Sequence, residues 1–245
     1  MRVGLLVTCL VDTMRPEIGF STVKLLESAG CEVLVPESQT CCGQPGYTAG
    51  NRAAARALAE KFVAEFESFD YVVIPSGSCG GMVKTHYADL FKDDPAWRAR
   101  MEALAPRVFE LTDFLQTVLE IASLPHRDGG ALACCITYHD SCSGLRELGV
   151  RAQPRALLGL LPAVQIVEMK DAATCCGFGG AFSVKYGDIS GAIVEDKCSN
   201  IRATGADAVV LGDLGCILNI EGRLRRNGDH KTRVLHIAQV LAGDC

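Results

Sequence analysis

Several things that would narrow the function of this 245-residue chain are missing from it. No run approaches the roughly 18–20 consecutive apolar residues of a membrane-spanning helix. No block of Lys and Arg occurs, and 29 acidic against 24 basic residues leave a net charge of −5. That mild acidity gives no reason to expect nucleic acid or an anionic lipid surface as partner. A cleavable secretory leader is lacking too: the apolar start is short, no A-x-A-like site follows it, and Asp12, Arg15 and Glu17 come directly after. The first residues are better read as a buried strand, and the expected location is cytoplasmic. There is no G-x-G-x-x-G fingerprint, which argues against hydride chemistry with a nicotinamide or flavin on this chain alone. No two cysteines stand at the C-x₂₋₄-C spacing usual for zinc knuckles.

What is abundant is cysteine. Hydrophobic residues make up 49% and charged residues 22%, an ordinary globular balance, and a chain this long buries about three quarters of its surface without covalent staples. Thirteen cysteines in such a chain call for another explanation. The count is odd and the chain looks intracellular, so clustered cysteines point to metal ligands or redox centres rather than disulfides.

The cysteines repeat. Cys9 and Cys142 are 133 residues apart, Cys41-Cys42-Gly43 and Cys175-Cys176-Gly177 are 134 apart, and Cys79 and Cys216 are 137 apart. Four cysteines in one order with so little drift indicate a duplicated unit. The flanking patterns agree. In the first half, apolar or β-rich runs at 3–8, 31–35 and 71–74 alternate with helical spacing at 16–29 and 51–66; Pro16 opens the first helix and Gly30 closes it. The second half repeats this with runs at 131–138, 164–169 and 208–211 and helices at 154–161 and 189–203. A helix is expected over 109–122. Residues 234–241 suggest a last short strand and helix, corresponding to 108–119.

Strand–helix alternation predicts an α/β fold of two pseudo-symmetric lobes, each a small parallel sheet built from βαβ units. Each lobe then carries a four-cysteine site at the strand C-terminal ends, where open α/β sheets hold ligands. The expected lobes are 1–123 and 131–245, joined by a linker at 124–130; residues 93–106 also fall between the matched segments.

Two sets of thiolates, Cys9, Cys41, Cys42 and Cys79, then Cys142, Cys175, Cys176 and Cys216, suit a pair of [4Fe–4S] clusters. Zinc is the alternative. Adjacent cysteines are awkward on one tetrahedral ion but can reach different irons of a cluster. Gly43, Gly177, Gly179 and Gly180 would let backbone N–H groups approach the sulfurs. Cys31, Cys134, Cys135, Cys198 and Cys245 are expected in the core or at the terminus. His139-Asp140 and His86-Tyr87 have acid–base potential beside the motifs, although a histidine satisfying a strand end is the commoner case. Lys84 and Lys185 could offset cluster charge or simply face solvent.

These residues resemble a known family. The repeated pattern is similar to the cysteine-rich (CCG) domain of heterodisulfide reductases and of the glycolate oxidase iron–sulfur subunit. It most resembles the lactate utilization protein A family, through Cys41-Cys42-Gly43-Gln44-Pro45, Ser76-Gly77-Ser78-Cys79, Tyr138-His139-Asp140-Ser141-Cys142, the run from Thr174 to Lys185, and Cys216-Ile217-Leu218-Asn219. The resemblance implies an oxidoreductase-complex subunit that carries electrons from L-lactate as pyruvate forms. It implies as partners a ferredoxin-like iron–sulfur subunit and a third subunit, and as ligands the eight cysteines above. A heterodisulfide-reductase-like thiol–disulfide redox subunit and a zinc-binding structural subunit are the alternatives. Relatives whose motif ends in C-x-x-C can hold a noncubane cluster with five cysteines. Ser76 and Asp213 stand here where the first cysteine of that pair would be, leaving open whether either donates oxygen to a metal.

Overall fold

The structure, a computed structural model, describes residues 1–124 and 134–244. Strands β1 (Arg2–Leu5), β2 (Glu32–Leu34), β3 (Tyr71–Ile74) and β4 (Val108–Glu110) form one sheet in the order β2-β1-β3-β4. Strands β5 (Cys134–Tyr138), β6 (Val164–Ile166), β7 (Ala208–Leu211) and β8 (Arg233–His236) form a second, in the order β6-β5-β7-β8. All pairings are parallel, so the two lobes share one topology, as the repeat predicts. Register matches as well: Val3 lies between Val33 and Tyr71, and Ile136 between Ile166 and Ala208.

The inner strands are buried on both faces, which explains their unbroken apolar runs, Tyr71–Ile74 and Ala208–Leu211. Helices cover them through stripes of helical period. In helix Pro16–Ser28 the buried side chains are Ile18, Ser21, Thr22, Leu25 and Leu26, and Gly30, at φ +82°, turns the chain toward β2. Helix Arg52–Phe66 buries Ala55, Ala59, Phe62, Val63 and Phe66. Helix Gly187–Ala203 buries Ser190, Val194, Lys197, Cys198 and Ile201, the same spacing displaced by 135 residues. A lysine thus occupies a core position. No helix among the described residues is long and apolar enough to cross a membrane.

One expectation needs correction. The helix expected over 109–122 begins later, because Val108, Phe109 and Glu110 pair with Val72, Val73 and Ile74 as an edge strand; Leu111–Asp113 and a π-helical turn, Phe114–Val118, follow. Val108 and Phe109, with high β propensity beside the open edge of β3, gain more from the ladder than from an extra helical turn. Residues 93–106 belong to the first lobe, as helix Pro95–Leu104, capped by Asp94 and packed on helix Arg52–Phe66 through Met101 and Leu104. The expected linker residues 125–130, residues 131–133 and Cys245 lie outside the described residues.

The lobes interlock. The C-terminal helix Ile237–Ala242 packs on helix Pro16–Ser28 of the first lobe, and helix Leu111–Asp113 packs reciprocally on helix Ala152–Leu158 of the second. One apolar core runs through both lobes, joining Leu25, Val73 and Phe114 to Leu158, Val209 and Leu241. A second core, around Phe62, Phe66, Tyr87 and Phe91, belongs to the first lobe alone.

Candidate metal centre

Each motif cysteine stands where a strand gives way to a loop or helix. Cys9 and Cys142 open helices Cys9–Met14 and Cys142–Leu148, capped by the Thr8 and Ser141 hydroxyls, which accept from the N–H groups of Val11 (3.4 Å) and Gly144 (3.3 Å). Cys79 and Cys216 lie near the starts of helices Gly77–Gly81 and Leu214–Arg226, capped by Ser76 and Asp213. The adjacent cysteines sit in the loops beyond β2 and β6. Their glycines turn the chain at positive φ, +85° at Gly43 and +82° at Gly177, and a Cβ on Gly177 would lie 2.7 Å from the Ser190 carbonyl. Each glycine N–H donates to the first sulfur of its doublet, Gly43 to Cys41 at 3.4 Å and Gly177 to Cys175 at 3.3 Å.

Both sets divide into an inner and an outer pair. The inner sulfurs are buried and close, Cys42 with Cys79 at 3.3 Å and Cys176 with Cys216 at 2.8 Å. The outer ones, Cys9 with Cys41 and Cys142 with Cys175, are more exposed. All eight are free thiols. Neighbouring thiols aimed at one sulfur make one thiolate per set: the Cys42 and Cys9 thiols bring Cys41 down to about 3, and those of Cys142 and Cys176 bring Cys175 down to about 2. The donors move the other way, Cys42 under Cys41 and Cys176 under Cys175. Carbonyl acceptors fix the doublets: Tyr87 Oη donates to the Cys42 oxygen and Asn219 Nδ2 to that of Cys176, both at 2.8 Å.

The two sets open onto one cleft of about 410 Å³, lined by all eight motif cysteines together with Gly179, Gly180, Phe178, Val184 and Leu214. Ser76 and Asp213 meet at its floor. The Ser76 hydroxyl donates to Asp213 Oδ2 (3.1 Å), Ser78 N–H donates to the same oxygen (2.9 Å), and Gly215 N–H donates to Oδ1 (3.1 Å). Both side chains are therefore engaged in capping and in joining the lobes, which takes up their oxygens.

The polar residues singled out in the sequence divide. Asp140 is bound by Arg155 through both guanidinium branches, at 2.8 and 3.1 Å, and Arg155 also pairs with Glu168. His86 lies 3.4 Å from Glu147 of the other lobe and against the Tyr47 ring. Lys84 sits over the Phe109 ring, and both Lys84 and Lys185 are exposed. His139 is different: it is fully buried, and neither ring nitrogen has a hydrogen-bond partner. Burial and the nearby Lys197 charge hold its imidazole neutral, with a pKa lowered to about 3. Lys197, missed in the sequence, donates to the carbonyls of Asp171 (2.6 Å) and Ala172 (3.2 Å) and feels Cys176 and Cys216. Its place on the apolar stripe Val194–Lys197–Cys198–Ile201 was the available signal.

The family model described as "Cysteine-rich domain" (CCG) matches residues 3–84 and 136–221, one copy per lobe. Lactate utilization protein A of Exiguobacterium sp. is 45% identical over 241 residues, covering 98% of this chain and 96% of that protein. The protein of that name in Bacillus subtilis is 44% identical, covering 98% and 99%. A crystal structure of a hypothetical protein from Helicobacter pylori shares the fold, with a TM-score of 0.67 at 11% identity, over 98% of this chain and 48% of that one. The chain belongs to the cysteine-rich domain family, within the group of proteins called lactate utilization protein A.

Proposed function

We propose that this chain is an iron–sulfur electron-transfer subunit of a complex that oxidises L-lactate to pyruvate. The observation that carries this reading is the convergence of two four-thiol sets on one cleft. In each set the sulfurs are linked through the adjacent pair, Cys41 touching both Cys9 and Cys42, and Cys42 also touching Cys79, with the same order in the second lobe. Four thiols gathered around an adjacent pair suit a multinuclear centre, whose irons can take neighbouring thiolates separately, better than a single tetrahedral zinc ion. Cys9, Cys41, Cys42 and Cys79 would hold one centre, and Cys142, Cys175, Cys176 and Cys216 the other. Bound clusters would supply one-electron transfer.

The chain's own residues prepare that chemistry. Neighbouring thiols favour the thiolate form of Cys41 and Cys175, the form that ligates metal. Gly43 and Gly177 present N–H groups to sulfur, an arrangement that tunes reduction potential. Phe178 and Leu214 line the cleft with apolar surface beside the cysteines. The names of the relatives support lactate as the substrate. A ferredoxin-like iron–sulfur subunit and a third subunit are the partners this reading calls for. At the cleft mouth Val184 is 85% exposed, with Tyr186 and Ile189 nearby on the same stretch of chain, an apolar surface on which a partner could dock.

The test is purification without oxygen, followed by assay of iron, acid-labile sulfide and zinc with the visible spectrum. About eight irons and eight sulfides per chain, with broad absorption near 400 nm, are expected. A colourless protein with stoichiometric zinc, unchanged after anaerobic reconstitution with iron and sulfide, overturns the electron-transfer reading in favour of a zinc scaffold.

A further inference from the structure

The two thiol sets are closely alike, but their surroundings are not. Leu6 and His139 hold the same place in their lobes: each immediately follows the strand leading to the first cysteine of its set. Each also donates its backbone N–H to the neighbouring strand at 3.0 Å, Leu6 to Val73 and His139 to Val210. The first lobe therefore has an aliphatic side chain where the second has an imidazole. A side-chain nitrogen of His139 and the sulfurs of Cys176 and Cys216 all lie within 4.8 Å of one another, and all three residues are buried. Neither ring nitrogen has a partner, although a polar atom left unpaired in a protein interior is costly. Neutral imidazole and thiolate together form a common donor set for iron and zinc.

From this juxtaposition we infer that His139 is a nitrogen ligand of the second lobe's metal centre, beside Cys176 and Cys216, with no counterpart in the first lobe. The inference rests on the metal-binding reading above and gives one set only a neutral donor that takes an iron site in place of a thiolate. The consequence is a difference in potential. An imidazole ligand brings no negative charge, and histidine in place of thiolate raises the potential of an iron–sulfur centre. The buried Lys197 ammonium acts in the same direction, where the first lobe has Phe62 at the matching helix position. The second-lobe centre is then where an electron comes to rest.

The experiment uses the full chain, reconstituted anaerobically with iron and sulfide, reduced, and prepared with natural or ¹⁵N-labelled histidine for pulsed EPR. A nitrogen coupling of the strength of a directly bound imidazole is expected. It should change with the label, persist in Cys42→Ser and vanish in His139→Leu, which installs the first lobe's own residue. In His139→Leu the equilibrium for reduction of the second centre should fall at least tenfold, about 59 mV for one electron. If a variant does not fold, the isotope response of the unaltered chain decides by itself. Only weak, hydrogen-bond-strength nitrogen coupling, or a strong one that survives His139→Leu, overturns the assignment. If the chain takes zinc and no iron, the electron-transfer reading fails separately. X-ray absorption at zinc then decides the inference, with imidazole scattering for it and an all-sulfur shell against it.

Discussion

Glu110 ends β4 at the seam between the lobes and is 4% exposed. Its Oε2 accepts from the Thr112 N–H (2.7 Å), the Thr112 hydroxyl and the Asp113 N–H (3.2 Å), bonds that favour the ionised form. Burial outweighs them and lifts its pKa from 4.5 to about 7. Because the folded-state value is the higher one, the stabilisation is complete below about pH 4.5 and is lost as pH rises through about 7. Such a shift is worth about 3 kcal/mol. In Glu110→Gln, which keeps an acceptor oxygen but cannot ionise, stability should lack this fall between pH 5 and 8. Urea unfolding of both proteins across that range checks it; parallel curves would show that Glu110 does not titrate there.

At the level of elements, the caps decide where the ligand-bearing helices start. Thr8, Ser76, Ser141 and Asp213 each accept a backbone N–H two or three residues beyond. Asp213 does more than the others, since its second oxygen also takes the Ser76 hydroxyl and the Ser78 N–H. Asp213→Ala should therefore cost about 2–3 kcal/mol, against about 1 kcal/mol for Thr8→Ala, which loses a single cap. Chemical denaturation under argon measures both, and equal losses would mean that the bonds across the seam contribute nothing. The helices at 16–29, 51–66 and 189–203 were legible because their apolar residues recur with helical period between clear stop signals. Strand β4 was not. Three residues carry no period, and the edge of β3 beside them makes Val108–Glu110 extended.

For the whole molecule, the cleft exists because the lobes touch backbone to backbone. Helix Gly77–Gly81 of the first lobe packs on helix Cys142–Leu148 of the second, and Gly77 N–H donates to the Gly212 carbonyl at 3.3 Å. A Cβ on Gly77 would lie 2.6 Å from Ser141 Oγ and 2.9 Å from the Gly144 backbone, which cannot rotate away. Gly77→Ala should lower stability by about 2–3 kcal/mol. It should also raise amide exchange along both helices, because the seam must widen. Gly222→Ala, where a Cβ meets nothing, is the control and should not be destabilising. Equal exchange in the two variants would place the rigidity of the seam elsewhere.

Covalent order alone determined much of this protein. The duplication, the alternation of buried strands and amphipathic helices, and the two sets of four thiols are all written in spacing and composition. These survive translation into structure because each depends on local periodicity or on loops that follow strands. What depends on distance across the fold could not be read. Ser76 and Asp213 are 137 residues apart and look like lost ligands, yet their meeting at the seam makes them partners of each other. His139 looks like an ordinary strand-end histidine until Cys176 and Cys216 close around it. The apolar stripe of its helix marks Lys197 as buried, but the Asp171 and Ala172 carbonyls that receive its ammonium lie in another loop and show only in the fold. The merging of two sites into one cleft was likewise decided by how two similar lobes pack, since each repeat's spacing fixes its own lobe and carries no information about the contact between them.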